Sequence, residues 1–310
     1  MSRKGRRSGP KRSYTLYIVL GLIVVTGVVG YYIFTQSGAT SGSPLVNTAV
    51  SSTVLNDLKG VSIGTLNFIG PGATGATAIT SNANTTLLAS NGKPEVLYMG
   101  AEYCPYCAAE RWAMIVALDK FGNFSGLEYM QSAATPEVFP NTPTFTFVQA
   151  TYSSPYISFV PVEQYDNSNN HNPLMTATAD QTNLMNTLDT KGSIPFVDIG
   201  NRYTLVGSQI QPPILDNGNW TQIASQLGNT SSAYAQNIDG AANRLIGAIC
   251  KIDGSQPASL CNQSLAITAA YTRSLPSGLS QLLVLDAVPG LPQSTAGAGR
   301  FVTTRLISRV

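Results

Sequence analysis

Short apolar runs alternate with segments whose apolar residues recur every three or four positions, and this alternation predicts an α/β fold. The predicted strands are short runs rich in aliphatic, β-branched or aromatic residues: 63–69, 95–99, 127–130, 144–148, 156–162, 195–199 and 203–206. The predicted helices have helical apolar spacing or composition: 54–58, 105–121, 180–189, 220–227 and 233–249. Gly122 is expected to end the second of these helices.

The longest apolar run predicts a membrane anchor. Residues 14–34 carry no charge over 21 positions, which is enough to cross a hydrocarbon core of about 30 Å as a helix. A cleaved signal peptide has an apolar core of only about 7–15 residues, so an uncleaved anchor is favoured and cleavage after Gly38-Ala39 is the alternative. The basic head, residues 1–13, predicts by the positive-inside rule a cytoplasmic N-terminus. The protein is therefore expected to be a single-pass cell-membrane protein with its folded part outside the cytoplasm.

Composition divides the rest of the chain into four parts. Residues 35–53 are rich in small and polar residues and are predicted to be a flexible linker. The folded domain is predicted over residues 54–228, followed by a helical extension over 229–275. Residues 276–310, rich in Gly, Pro and Ser, are predicted to be a loose or peripheral tail.

Charge gives no reason to expect a nucleic-acid partner. The chain has 18 Lys and Arg against 16 Asp and Glu, but six of the basic residues are in the head, so the remainder is net acidic. Nucleic-acid binding depends on basic groups that neutralise phosphates. The overall basic balance is thus a property of the membrane-proximal head.

The most informative stretch is the Cys104-Pro105-Tyr106-Cys107 sequence, which follows a predicted strand and begins a predicted helix. Pro105 suits the first helical position, because its φ matches the helix and its missing N–H would have no intrahelical partner there. Cys104 then lies at the positive end of the helix dipole, which lowers a thiol pKa from about 8.5 toward the ~3.5–7 range of such sites. Cys107 lies one turn later on the same face. We therefore expect Cys104 to attack a partner disulfide and Cys107 to resolve the mixed disulfide.

Residues 101–107 resemble the active site of the thioredoxin superfamily, and the Pro-Tyr pair between the cysteines is similar to that of glutaredoxins. Far downstream, Ile194-Pro195 before a predicted strand resembles the cis-proline dipeptide that faces the redox cysteines in that superfamily. The pattern of the whole chain also resembles an uncharacterised archaeal family of membrane-anchored thioredoxin-like proteins. The resemblance implies a thioredoxin-like fold with catalytic residues Cys104, Cys107 and Pro195.

The resemblance also implies roles for neighbouring residues. Pro195 would prevent metal capture by the cysteines, and the Ile194 backbone would pair with a substrate segment as an added strand. Tyr106 is a candidate substrate contact, although an exposed aromatic beside a site needs no special role. Because Pro195 follows Cys104 by 91 positions, an insertion is required, and residues 144–148 with 156–162 are predicted to form it as a β-hairpin.

One residue departs from the thioredoxin pattern. Six positions before Cys104, where thioredoxins keep a buried carboxylate that handles the proton of the resolving thiol, this chain has Tyr98. Glu110 and Arg111, in the second turn of the predicted helix, are weak candidates for tuning the local field. His171, the only histidine, is expected to be an ordinary loop residue.

The second cysteine pair favours a structural interpretation. Cys250 and Cys261 are expected to form a stabilising disulfide outside the membrane, with a second redox pair as the alternative. A zinc site would need a second Cys-x-x-Cys, which their spacing does not provide, and a purely structural Cys104–Cys107 disulfide is the remaining alternative at the first pair. No metal and no dissolved cofactor are expected.

These observations predict a membrane-anchored thiol-disulfide oxidoreductase that acts outside the cytoplasm on cysteines of exported proteins. A membrane redox partner would be required to recharge it. The sequence does not set the direction of electron flow, but an oxidising exterior favours oxidase or isomerase activity. The alternative is a non-catalytic thioredoxin-like module that binds exported polypeptides or assembles a membrane complex.

Overall fold

The computed structural model describes residues 43–73, 77–82 and 85–262. The predicted head (1–13), the predicted anchor (14–34) and the predicted tail (276–310) lie outside these ranges. Within the described ranges, none of the helices has both the length and the apolar character needed to cross a bilayer.

The described chain alternates strands and helices. The ten strands of this part are β1 Thr80–Ser81, β2 Ala89–Ser90, β3 Lys93–Gly100, β4 Asn123–Ser125, β5 Glu128–Gln131, β6 Pro143–Thr146, β7 Thr151–Ser153, β8 Ser158–Glu163, β9 Phe196–Ile199 and β10 Tyr203–Val206. Its helices are α1 Ser52–Gly60, α2 Ile63–Ile69, α3 Pro105–Leu118, α4 Ala179–Leu188, α5 Trp220–Ser225, α6 Ala233–Ile252 and α7 Ala258–Cys261, with a 3₁₀ turn at Pro212–Ile214.

A mixed six-stranded sheet forms the centre of the fold. Its strands follow the order β1-β10-β9-β3-β8, and the short β2 pairs with the first residues of β3. The β3–β8 pair is parallel, with Leu97 opposite Val160, while β3–β9 and β9–β10 are antiparallel. The prediction of a mixed α/β fold is therefore confirmed.

Helices cover both faces of this sheet. Alternation along β3 directs Val96 and Tyr98 into the core that contains α3 and α6, whereas Leu97 and Met99 pack in a second cluster with Met185 of α4. Because both faces are covered, β3 is an almost continuous apolar strand. Helix α3 thus begins shortly after the carboxyl end of the central strand β3.

The predicted β-hairpin insertion is wrong in its pairing. Residues 156–162 do not pair with 144–148; they form β8, which is the parallel neighbour of β3 in the central sheet. Residues 143–146 form β6 and pair with β5 instead. The insertion therefore lies between α3 and β8 and consists of two small antiparallel pairs, β4–β7 and β5–β6.

The N-terminal boundary also differs from the prediction. Part of the expected flexible linker (35–53) is fixed to the domain, because Val50 N donates to Leu127 O at 3.0 Å and Asn47 N donates to Tyr129 O at 2.9 Å. Residues 63–69, predicted as a strand, form helix α2 with Ser62 as its N-cap. The apolar spacing of three positions in this segment fits one helix face better than an alternating strand.

The expected helical extension is part of the main core. Helix α6 packs along α3, and its residues Ile238, Leu245 and Ile249 belong to the same apolar cluster as the sheet. The structure therefore has no boundary at 228/229, and the domain predicted over 54–228 reaches at least to the end of α6. No residue pattern within α6 identifies its packing partner, so the sequence alone does not join these residues to the domain.

Candidate thiol site at the start of helix α3

Cys104 is the N-cap residue of α3, and Pro105 occupies its first turn as predicted from the sequence. The Cys104 Sγ accepts a hydrogen bond from the Cys107 backbone N–H at 3.1 Å. Both thiols are free, Cys107 is fully buried, and Cys104 retains 5% of its surface. Cys104 thus keeps a small exposed area, and Cys107 is enclosed one helical turn further along.

The two thiols have opposite acidities. Burial acts to raise the pKa of Cys104, but hydrogen bonds from Cys107 and the positive charge of Arg111 outweigh it and hold this pKa below its usual value. The pKa of Cys107 is raised well above its usual value by burial, by the hydrogen bond with the Cys104 thiol and by the charge of Cys104. Of the two thiols, Cys104 is therefore the more readily ionised.

The fold brings Ile194 and Pro195 to the cysteines from 90 positions away. The Ile194–Pro195 peptide bond is cis, and the Ile194 carbonyl oxygen lies 3.9 Å from Cys104 Sγ. The Ile194 side chain packs against the small apolar cluster of Ala101, Cys104 and Cys107. Cys104, Cys107, Ile194 and Pro195 thus lie together beyond the carboxyl end of β3.

A fully buried ion pair lies beneath the thiols. Arg111 Nε donates to Glu163 Oε1 at 2.8 Å and Arg111 Nη2 donates to Glu163 Oε2 at 2.6 Å. Arg111 Nη2 also donates to the Ala101 carbonyl at 2.7 Å. The guanidinium lies 5.7 Å from the centre of the Tyr98 ring. Glu163 was not among the residues singled out from the sequence; the only clue was a charged residue one helical turn after Cys107.

Tyr98 replaces the carboxylate of the thioredoxin pattern with a neutral group. Its side chain is fully buried, and burial raises its pKa well above the usual value, so the phenol holds its proton throughout the neutral range. Glu110 faces away from the thiols: it accepts hydrogen bonds from Gln209 N at 2.8 Å and Ser208 Oγ at 3.2 Å. Burial raises the pKa of Glu110 to about 7.

Aromatic side chains flank Cys104 in the chain, at Tyr103 and Tyr106. Tyr106 is 37% exposed and packs edge-on against Phe139 of the insertion, with ring centres 6.0 Å apart. Tyr103 stacks on His171 with ring centres 3.7 Å apart, and His171 lies in a loop, as expected from the sequence. Val138, beside Phe139, is 80% exposed. Nothing local in the sequence could indicate these contacts, because they join segments far apart in the chain.

The second cysteine pair lies elsewhere. Cys250, near the end of α6, forms a disulfide with Cys261 in α7, and the two Cα atoms are 5.6 Å apart. Cys250 packs in the main apolar core rather than in the cluster around Cys104. This disulfide ties the end of α6 to the short helix that follows.

Two further features bear on cofactors. Among residues 43–73, 77–82 and 85–262, no three His, Cys, Asp or Glu side chains are grouped closely enough to hold a metal ion. A groove of about 580 Å³ lies on the α4 side of the sheet and is lined by residues such as Glu95, Leu97 and Leu184. The groove lining does not include the cysteines, so it does not belong to the thiol site.

Comparison with known proteins finds one family that is similar to part of this chain. Neither a curated protein nor a solved structure matches this chain. Residues 78–192 match the model of a family described as "Domain of unknown function (DUF929)", which is less than half of the chain. The matched stretch contains Cys104, Cys107, Arg111 and Glu163 but ends before Ile194, so the chain is similar to this family over the front half of its thiol site.

Proposed function

We propose that this protein is a thiol-disulfide oxidoreductase with a thioredoxin-like domain, anchored in the cell membrane by residues 14–34. It acts outside the cytoplasm on cysteines of exported proteins, as an oxidase or isomerase. Cys104 forms the mixed disulfide and Cys107 releases it. The observation that carries the proposal is the pair of unlike thiols at the N-terminus of α3, with the Ile194 carbonyl 3.9 Å from Cys104 Sγ.

The strand order supports a thioredoxin-like domain. Strands β8, β3, β9 and β10 are adjacent in that order, with β8 parallel and β9 antiparallel to β3. Helices α3 and α6 cover one face and α4 covers the other. This is the arrangement that the resemblance of the Cys-x-x-Cys and Ile194-Pro195 segments implies, with the β4–β7 region as an insertion.

The chemistry needs no dissolved cofactor. A Cys104 thiolate attacks a disulfide of a partner and forms a mixed disulfide, or the Cys104–Cys107 disulfide is attacked by a partner thiolate and oxidises it. In the oxidising direction, a membrane redox partner accepts the electrons that collect on Cys104 and Cys107. The Ile194 backbone and Tyr106 contact the extended partner segment, and Cys250–Cys261 has a structural role.

A redox titration of the full-length protein in mild detergent tests the proposal. The protein is equilibrated in glutathione buffers of graded potential, free thiols are trapped, and the modified cysteines are mapped. We expect Cys104 and Cys107 to titrate reversibly together, above about −200 mV for an oxidase or isomerase, while Cys250 and Cys261 remain oxidised. Titration near −270 mV would indicate a reductase, and resistance below about −300 mV would refute a catalytic role.

Cysteine variants separate an enzyme from a binding module. Cys107→Ser should accumulate mixed disulfides with exported proteins, because the resolving thiol is lost, whereas Cys104→Ser should form none. The double variant Cys104→Ser with Cys107→Ser should lose all thiol exchange. If that double variant retained every partner and the whole cellular role, the protein would be a binding module.

A further inference from the structure

We propose that Arg111 is a positioning residue for the resolving step: its buried guanidinium stabilises the thiolate that Cys107 must form to attack the mixed disulfide on Cys104. This inference rests on the proposed function and identifies which group takes the place of the missing carboxylate. It is carried by the position of Arg111, by its contacts with the Ala101 backbone and by an uncommitted guanidinium nitrogen.

Arg111 lies in direct structural contact with the thiol site. It follows Cys107 by four positions on α3, so the two side chains share one helix face. Arg111 Nη2 donates to the Ala101 carbonyl, which also accepts from Cys104 N at 3.3 Å. Ala101 also packs with both cysteines in one small buried cluster. Arg111, Ala101 and the two cysteines therefore form one connected group.

The hydrogen-bonding capacity of the Arg111 guanidinium is not fully used by the described residues. Two of its nitrogens are engaged by Glu163 and Ala101, but Nη1 is buried and has no hydrogen-bond partner among the described residues. A buried donor without an acceptor is costly, and proteins seldom retain one without a reason. A thiolate on Cys107 would place negative charge one helical turn away from this nitrogen.

Electrostatics explains why a cation is effective at this place. Charge interactions are strong in a buried, water-poor site. Burial and the charge of Cys104 both raise the pKa of Cys107, and Arg111 lowers it. When Cys104 is in a mixed disulfide its charge is gone, so burial remains as the obstacle that Arg111 counteracts. The other ionisable groups facing the guanidinium are Glu163 from β8, Tyr98 from β3 and Glu102 in the turn before Cys104.

The step is balanced without an external oxidant. Cys107 loses its proton, and the thiolate attacks Cys104 Sγ in the mixed disulfide. The Cys104–Cys107 bond forms while the bond between Cys104 and the partner sulfur breaks. The partner leaves as a thiolate and takes up one proton from solvent, which replaces the proton that Cys107 released. Cys107 is oxidised and the partner sulfur is reduced.

A stopped-flow experiment with the chromogenic disulfide dithiobis-nitrobenzoate separates the two steps. Reduced full-length protein in mild detergent receives one equivalent of reagent, so that the first thionitrobenzoate is released by Cys104 and the second by Cys107. Cys107→Ser should release only the first. The rate of the second phase is then measured as a function of pH.

The decisive variant replaces both members of the ion pair at once. Arg111→Met with Glu163→Leu leaves no lone buried charge, which protects the fold. We expect its second phase to slow at least about tenfold at pH 7, since each unit of pKa changes the thiolate fraction about tenfold, and its pH profile to move upward. The single variant Arg111→Lys, which keeps the positive charge, should have most of the wild-type rate of the second phase. Arg244→Gln, which removes a buried arginine near Gln209, is the matched control and should leave the rate unchanged.

Several results would overturn the inference. A folded double variant with a wild-type second phase and pH profile would refute the role of Arg111. If the double variant does not fold, Glu163→Gln tests the same field in the opposite sense: removing the counter-charge should move the profile to lower pH, and an unmoved profile would refute the role. A wild-type protein that releases no thionitrobenzoate at all would instead refute the proposed function, and the inference with it.

Discussion

Asp239 should make this protein more stable in mild acid than at neutral pH. The side chain lies in α6 without exposed surface, and neither of its carboxylate oxygens has a hydrogen-bond partner among the described residues. Burial raises the pKa of Asp239 from 3.8 to about 8, and the charge of Lys120 offsets only part of this effect. Between these two pH values the folded protein holds a proton that the unfolded chain has released.

The sign and size of the effect follow from proton linkage. Because the folded pKa is the higher one, the stabilisation is fully present below about pH 3.8 and is lost as the pH rises through about 8. Within this window the free energy of unfolding falls by about 1.4 kcal/mol per pH unit from this group alone. Between pH 5 and pH 7 the expected loss is thus about 3 kcal/mol. Asp239→Asn preserves the shape of the side chain but cannot ionise, so this part of the slope disappears.

Urea unfolding at several pH values between about 5 and 8 measures the effect for both proteins. Glu110 and Asp198, whose pKa values burial raises to about 7, contribute slopes of the same sign in each protein and cancel in the difference. We expect the two slopes to differ by about 1.4 kcal/mol per pH unit, with the variant less dependent on pH. Equal slopes, or a steeper slope in the variant, would refute the reasoning.

Three further changes test the packing around the site. Trp112→Ala should destabilise the fold by about 3–5 kcal/mol in urea unfolding, since the fully buried ring also donates to a β6 carbonyl at 2.8 Å; a cost below 1 kcal/mol would contradict this. Replacing Cys250 and Cys261 by Ser should cost about 3 kcal/mol through loss of an 11-residue closure, with the thiol-exchange rate unchanged; a lost rate would indicate a redox role. Gly72→Ala should lower the melting temperature, because a Cβ there would lie 2.1 Å from an α6 carbonyl oxygen, whereas Gly60→Ala, with open space around it, should not; equal melting temperatures would contradict the contact.

The sequence predicts those parts of the fold whose signals lie within a single segment of the chain. Helix α3 is marked by Pro105 and a following apolar face, and β3 by an apolar run of strand length. Residues 63–69 form a helix instead of the predicted strand, and the helical signal is Ser62 followed by apolar residues three apart. Helices and strands could thus be predicted wherever the apolar periodicity and the capping residues agreed.

Pairing and layer assignment were not predictable, because they depend on partners far along the chain. The run 156–162 reads equally well as an insertion hairpin or as the parallel neighbour of β3, and only the pairing with residues 95–100 separates the two. Within the site, Cys104 and Cys107 could be predicted from their Cys-x-x-Cys spacing. Glu163 did not, because a single acid at the end of a strand becomes informative only when its distance to Arg111 is known.

The charge arrangement around the thiols also bears on the direction of electron flow. Arg111 and Glu163 form a neutral pair, yet among the main influences on the two thiol pKa values only Arg111 appears, as a charge that lowers both. The positive charge of Arg111 therefore acts on both sulfurs in the direction of the thiolate. Stabilising thiolates favours the reduced form of the couple, and a couple whose reduced form is favoured is the more oxidising one. A thioredoxin-type carboxylate in place of Tyr98 would place negative charge below the thiols instead. A neutral Tyr98 in place of an acid, together with the buried Arg111, thus favours the proposed oxidase or isomerase over a reductase.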